Sequence, residues 1–461
     1  MNIYTKFYDF MAEIIRLLED HTNEDFYIKY RGATPLFVAQ MNHKLEEQFP
    51  ELLQKETGHS LEVVDDERWK GDFFVRLAYF INQCKNGKED NRLLVYLLHK
   101  LDIGLSERIL SGDDYLLTSD RINCLNTNGD KTGIMLLPRC QCLWERNSRG
   151  RQYGFGLMND IRNVYYIRRE DMGLYELTNI FLHKTFFQGK KSIKFGMSPV
   201  INQDVLKASY HEREEAVYFT IDGLHKGNNI RNNVKCIIKR AKEDGVNILI
   251  FPEMIGMDEL QADCRQLYEE NWDVDGPEIV VFPSIWRDYT NTSIITKANA
   301  SEIGRQQKQN PYQRYVREYN TEAIEDLRPD RKIVLMHIEG VGRIAIVICK
   351  DFLTKEYRRM ILDVLKATLI IVPSFSTGNF DFRQVMGECR QYDCGVIWLN
   401  CCGAMHLEDA KKSNFKDIGY LQFSGKLTDS IGSMSIERQN RCDKKTCKEN
   451  CLFVCEIPLS E

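Results

Sequence analysis

The sequence predicts an α/β protein: a layered α/β unit over residues 205–461, preceded over residues 1–204 by an α+β module that is mainly helical to about residue 116. Two observations predict it. Four short runs, NILIF, RIAIVIC, ATLIIVPS and GVIWLN, have the continuous apolar character of strands buried on both faces. Amphipathic stretches with helical spacing alternate with such runs, which is the grammar of layered α/β folds.

The N-terminal helices come first. Ile3, Phe7, Phe10, Ile14, Leu17 and Leu18 fall near helical spacing, and DFFVRLAYFINQC and NRLLVYLLHKL behave likewise. From about residue 117 to 200 the pattern is irregular, with β-prone pieces (GIMLLPRCQCLW, NVYYIRR) between Gly, Asn and Asp. EAVYFTID then reads as a strand. The next helix has Ile230, Val234, Ile237, Ile238 and Ala241 on one face, Asn228 or Asn229 to cap its start and Gly245 to end it. RKIVLMHIEG and VGRIAIVIC read as a hairpin turning at residues 339–342. TKEYRRMILDVLK gathers Tyr357, Met360, Ile361, Val364 and Leu365 on one face, and FRQVMGECRQYD is a helix leading into GVIWLN. CLFVCEIPL reads as a terminal strand with Cys451 and Cys455 on one side.

Bulk properties bound the function. With 461 residues, 43% hydrophobic and 28% charged, the chain reads as a soluble globular protein of two or three domains. A net charge of −5 argues against a nucleic-acid or anionic-membrane partner. No apolar stretch approaches the roughly 18–20 residues of a transmembrane helix, and the N-terminus lacks a signal-peptide cleavage pattern. Fifteen cysteines without a small-scaffold spacing point to free thiols and a cytoplasmic, reducing setting. Cys442, Cys447, Cys451 and Cys455 lack paired C-x₂-C knuckles, so a strand reading is preferred to zinc there. Cys140 and Cys142 read as strand residues, and Cys401 and Cys402 as packing near the site. No phosphate-binding loop is present, which argues against an attached ATP-dependent synthetase.

Functional groups in such sheets collect where buried strands end. Glu253 follows ILIF with Pro252 before it, so a rigid strand end presents its carboxylate. Cys349 ends RIAIVIC, and Lys308 lies in the polar loop GRQQKQNPY. A thiol, a carboxylate and an ammonium make a complete acyl-transfer set of nucleophile, proton carrier and oxyanion stabiliser. The Lys350 N–H, just past the thiol, is a natural second oxyanion donor, while its ammonium either favours a thiolate or points to solvent. No Cys–His pairing stands out among the nine histidines.

In chain order these residues resemble the Glu-Lys-Cys triad of the nitrilase, or carbon–nitrogen hydrolase, superfamily. FPE at Phe251–Glu253 matches its "fPE". NTSIITKANASEIGRQQK, Asn291 to Lys308, matches its strand and turn before the lysine. Ile348, Cys349, Lys350 and Asp351 match its "ICxD". The stretch from ATLIIVPS to NCCGA resembles its later block, so the resemblance covers nearly all of residues 214–461.

The resemblance implies a four-layer α-β-β-α sandwich and an amidase-type hydrolysis of a non-peptide carbon–nitrogen bond. It also implies a small amide or nitrile substrate, a homo-oligomer, and neither metal nor organic cofactor. A further glutamate past the lysine is expected at Glu318, with Glu322 behind it, and Asn379 and Phe380 are expected to contact substrate. A second reading makes this unit a binding or partner-activated effector module, with the N-terminal region as sensor or protein-interaction domain.

Overall fold

The periodic stretches near the N-terminus fold as helices. The computed structural model describes residues 3–21, 24–52, 72–110, 132–140, 142, 157, 161, 163–182, 190–225, 227–270, 277–297, 300–338, 340–407, 417–423, 433–437 and 451–458. Helices α1 (Ile3–His21), α2 (Glu24–Arg31), α3 (Pro35–Gln48), α4 (Phe73–Lys85) and α5 (Arg92–Leu110) precede strands β1 (Ile134–Pro138) and β2 (Val164–Arg168). Thr34 caps α3 by accepting the Phe37 N–H at 3.3 Å, and Pro35 takes the first turn, where its missing N–H costs nothing. Phe7, Met11, Ile14 and Leu18 of α1 share a core with Leu77 and Phe80 of α4 and Leu94 and Leu97 of α5. The β-prone pieces of the irregular segment pair antiparallel as β1 and β2. Buried Asp102 of α5 accepts the N–H groups of Asn163 and Val164, each at 3.1 Å, which fixes where β2 begins.

These elements form one compact unit, Met1–Cys140 with Arg146–Gly173, and the second takes in Gln141–Glu145 and Leu174–Glu461. The division therefore falls at residue 174, not at the 205 expected from sequence. The reason is that β3 (Glu176–Leu182) and β4 (Ser192–Met197) are strands of the second unit's sheets.

That unit continues with β5 (Leu206–Arg213), β6 (Ala216–Leu224), α6 (Gly227–Glu243), β7 (Ile248–Ile250), α7 (Glu259–Glu270), β8 (Ile279–Val281) and β9 (Ile285–Arg287). Next come β10 (Thr290–Lys297), β11 (Glu302–Gln307), β12 (Gln313–Val316), β13 (Thr321–Glu325), β14 (Lys332–Ile338) and β15 (Gly342–Ile346). Short helices α8 (Lys350–Leu353) and α9 (Lys355–Arg359) lead to β16 (Leu369–Ser374), α10 (Phe380–Cys389) and β17 (Gly395–Asn400). Strands β18 (Asp417–Gln422), β19 (Ser433–Glu437) and β20 (Phe453–Pro458) complete it.

Two seven-stranded mixed sheets result, ordered β11-β10-β8-β7-β4-β20 with β9 on β10, and β19-β18-β17-β16-β15-β14-β3; a four-stranded sheet runs β12-β13-β6-β5. Every residue of β7, β8, β15, β16 and β17 is buried, as their continuous apolar runs require. Strands β4, β7 and β8 run parallel, as do β15, β16 and β17, so the ends of β7 and β15 each open into a loop at the carboxyl edge of a parallel run. Helix α6 buries the five residues expected of its apolar face. The β14–β15 pair is the expected antiparallel hairpin. Gly342, at φ 92°, is needed there because a Cβ would come within 2.3 Å of Thr368 Oγ1. The stretch after Cys349 departs from one long helix: α8, α9 and a π-helical turn at Met360–Val364 share it, with Tyr357, Ile361 and Leu365 buried.

Candidate active site

Strand β7 delivers Glu253. Its flanks are pinned on both sides, with the Phe251 N–H bonded to Val281 O at 3.1 Å and the Met254 N–H to Ser284 Oγ at 2.8 Å. The side chain is fully buried and accepts three hydrogen bonds. Asn291 Nδ2 and Lys308 Nζ each donate to Oε1 at 2.9 Å, and the Phe375 N–H donates to Oε2 at 2.9 Å. A carboxylate so surrounded is held in one orientation.

Lys308 follows β11, and its own N–H donates to Asn291 O at 2.8 Å. Asn291 of β10 thus aligns both charged groups, one through its backbone and one through its side chain. The ammonium lies between two carboxylates, 2.9 Å from Glu253 and 2.7 Å from Glu325 Oε2. Burial alone would lower the Lys308 value, but Glu253 and Glu325 outweigh it and hold the ammonium well above its usual range. Glu325 is itself pushed up by burial and, opposing Lys308, by Glu253. A buried lysine flanked by two carboxylates is a charged group that the fold has made obligatory.

Cys349 sits past the end of β15 on a turn with φ 47° and ψ −104°, a conformation that L residues adopt only under constraint. The constraint is visible: its N–H donates to Pro373 O at 2.9 Å and its carbonyl accepts the Phe352 N–H at 3.0 Å. Cys349 is 6% exposed, and its thiol interacts with the Glu253 carboxylate and the Phe375 N–H. Burial, and then Glu253, push it up, with Lys308 pulling the other way, so the resting group is a thiol beside a base. The half-buried Lys350 opens α8, where first-turn N–H groups have no partner inside the helix.

The structure therefore brings Glu253, Lys308 and Cys349 together. Glu318 is not with them: it and Glu322 are exposed, and the second carboxylate on the lysine is Glu325. Glu318 lies ahead of β13, and within the strand Ala323 and Glu325 are buried on one face while Glu322, of the opposite phase, is exposed. Asn379 turns its amide onto Asp417, and Phe380 is 69% exposed at the head of α10.

Two supporting residues were given no role of their own by the sequence reading. Asn400, ending β17, accepts the Ser376 N–H and donates to Ser376 O, both at 2.8 Å, which fixes the loop carrying the Phe375 N–H. Asp351, buried in α8, accepts N–H groups from Gln309 and Asn310. Cys401 is buried close enough to Glu253 to feel its charge. Cys455 lies in β20, antiparallel to β4, while Cys442 and Cys447 fall outside the described residues. Among the described residues no cluster of His, Cys, Asp and Glu could hold a metal, and no helix is long and apolar enough to cross a membrane.

No protein-family model matches the chain, and no curated protein does. In structure it is similar to nitrilase-superfamily proteins. The NitFhit protein of C. elegans aligns over 59% of this chain and 61% of its own length, with 13% identity and a TM-score of 0.39. A cysteine-to-alanine mutant of the Nesterenkonia AN1 amidase, from the nitrilase superfamily, aligns over 58% of this chain and 92% of its own, with 12% identity and a TM-score of 0.38. Saccharomyces cerevisiae Nit3 aligns over 58% and 91%, with 14% identity and a TM-score of 0.36.

Proposed function

We propose that the second unit is a carbon–nitrogen hydrolase of amidase type, built as a layered α-β-β-α sandwich, with Cys349 as nucleophile. The observation that carries this reading is the Cys349 thiol on a constrained turn, beside a Glu253 carboxylate that is locked by three hydrogen bonds. Cys349 Sγ attacks the amide carbonyl, forming the C–S bond, and its proton passes to Glu253. The oxyanion develops against the Lys308 ammonium and the Lys350 N–H. Collapse breaks the C–N bond, and Glu253 returns the proton to the leaving amine. Water, deprotonated by Glu253, then cleaves the thioester and the proton goes back to sulfur. A thiol this enclosed suits a small amide better than a peptide.

The direct test is alkylation by iodoacetamide, mapped by peptide, in wild type and Glu253→Gln. Cys349 should label in wild type and slow by about 10²-fold or more when its base is removed, within the usual range for general-base catalysis. Equal rates in the two proteins, or an inert Cys349, would remove the basis of the proposal.

The second carboxylate has its own test. Glu325→Gln should lower kcat on a small amide by about tenfold or more, whereas Glu318→Gln should stay within about twofold of wild type. Steady-state kinetics of the two variants decides which glutamate serves the lysine.

A further inference from the structure

We infer that Asp351 is the positioning residue that joins the lysine loop to the nucleophile turn, and that its ionisation state sets the acidic limb of Cys349 reactivity. The inference rests on the hydrolase reading above. It starts from geometry. Asp351 lies two residues past Cys349, on the first turn of α8, so its backbone moves with the nucleophile. Its carboxylate accepts the Gln309 N–H at both oxygens, at 3.0 and 2.9 Å, the Asn310 N–H at 2.6 Å and Asn310 Nδ2 at 2.8 Å. These are the two residues that follow Lys308. On its other side Lys308 is held by the Asn291 carbonyl, so Asn291 and Asp351 grip the loop from both ends.

All the donors are N–H groups, so the site is built for an acceptor with two charged oxygens. A protonated carboxyl keeps its bulk but loses acceptor capacity and faces an N–H with an O–H. Burial pushes the Asp351 carboxyl up to about 7, against the pull of the Gln309 and Asn310 donors and of Lys308. The other titratable groups that face it are Tyr175, ahead of β3, and Tyr357, of α9; both are neutral phenols raised by burial and then by Asp351. The Tyr357 hydroxyl is buried without a hydrogen-bond partner, so it is no competing charge. The grip is therefore complete above about pH 7 and loosens below it, releasing the ammonium that aligns Glu253.

The test is the rate of Cys349 alkylation by iodoacetamide between pH 5 and 9 in the full-length protein, for wild type, Asp351→Asn, Asn310→Ala and Glu253→Gln. Wild type should fall below pH 7 by about one further tenfold per pH unit than Asp351→Asn, which has no proton to take up there. Asn310→Ala removes a donor that favours the ionised form, so the break should move to higher pH, which tests the idea even if Asp351→Asn misfolds. An Asp351→Asn profile parallel to wild type, or a break unmoved in Asn310→Ala, overturns the inference. If that happens while Glu253→Gln still slows labelling, the hydrolase reading stands alone. If Glu253→Gln has no effect, the hydrolase reading falls and the route from Asp351 through Glu253 falls with it, even where the break moves.

Discussion

Cys349→Ala should abolish covalent adduct formation at the site and lower ammonia release from small primary amides by about 10³-fold or more, as removal of a covalent nucleophile does. The fold should survive the change. Alanine keeps the Cβ, and the N–H bond to Pro373 and the carbonyl bond from Phe352 hold the turn without the sulfur. Nor does the substitution relieve the turn, since alanine at φ 47° is as constrained as cysteine. Melting temperature should therefore change little while reactivity disappears, and that separation is diagnostic. The measurement pairs ammonia release across a panel of small amides with intact mass of the protein caught during turnover. Ammonia release at the wild-type rate from Cys349→Ala would place the nucleophile elsewhere. The position itself argues for use, because ending a buried strand on a strained, fully packed thiol has no structural advantage over glycine or alanine.

How much of this was legible in the sequence depends on how local each feature is. Strands β7, β15, β16 and β17 announce themselves, because a strand buried on both faces must be apolar at every position. Glu253 and Cys349 were readable for the same reason: each is the polar residue at which such a run ends. Glu325 was not, although a signal existed. In TEAIE the inward phase holds Ala323 and Glu325, and a period-2 reading would have marked Glu325 as a buried carboxylate. What brings it to Lys308 is the pairing of β13 with β6, Glu325 opposite Phe219, a contact across more than a hundred residues. Asp351 was visible as part of ICKD, but its partners lie in a loop some forty residues earlier. The boundary expected at 205 lies beyond the division at 174 because ELTNIFL and SIKFGM are short and mixed in polarity, so only their places beside β14 and β7 identify them as strands of the second unit. Asn379 and Phe380 rested on the resemblance alone, because nothing local shows where a loop side chain turns.

Lys308→Met should cost both activity and stability, and the two losses should part company with pH. The substitution leaves Glu253 and Glu325 buried side by side without the cation that compensates them. Removing one partner of a buried ionic group costs about 3–5 kcal/mol, because the charge left behind is stranded. The methionine fills most of the volume, so packing is a minor part of the loss. Glu325, already raised by burial and by Glu253, then loses the cation that pulls it down and titrates further above its unfolded value of about 4.3. A carboxylate raised in the folded state binds its proton there before the unfolded chain does, so stability rises as pH falls from neutrality toward that unfolded value. Wild type shows less of this recovery, since its Lys308 ammonium stays charged throughout and compensates one of the two carboxylates, although burial still raises Glu325. Urea unfolding at pH 7.5 and at pH 5 should show the variant's deficit shrinking by more than half at the lower pH. Activity should not return with it, because no ammonium faces the oxyanion at either pH. A deficit that is independent of pH would mean that Lys308 supports the fold through packing alone, and that its bonds to Glu253 and Glu325 carry no net charge compensation.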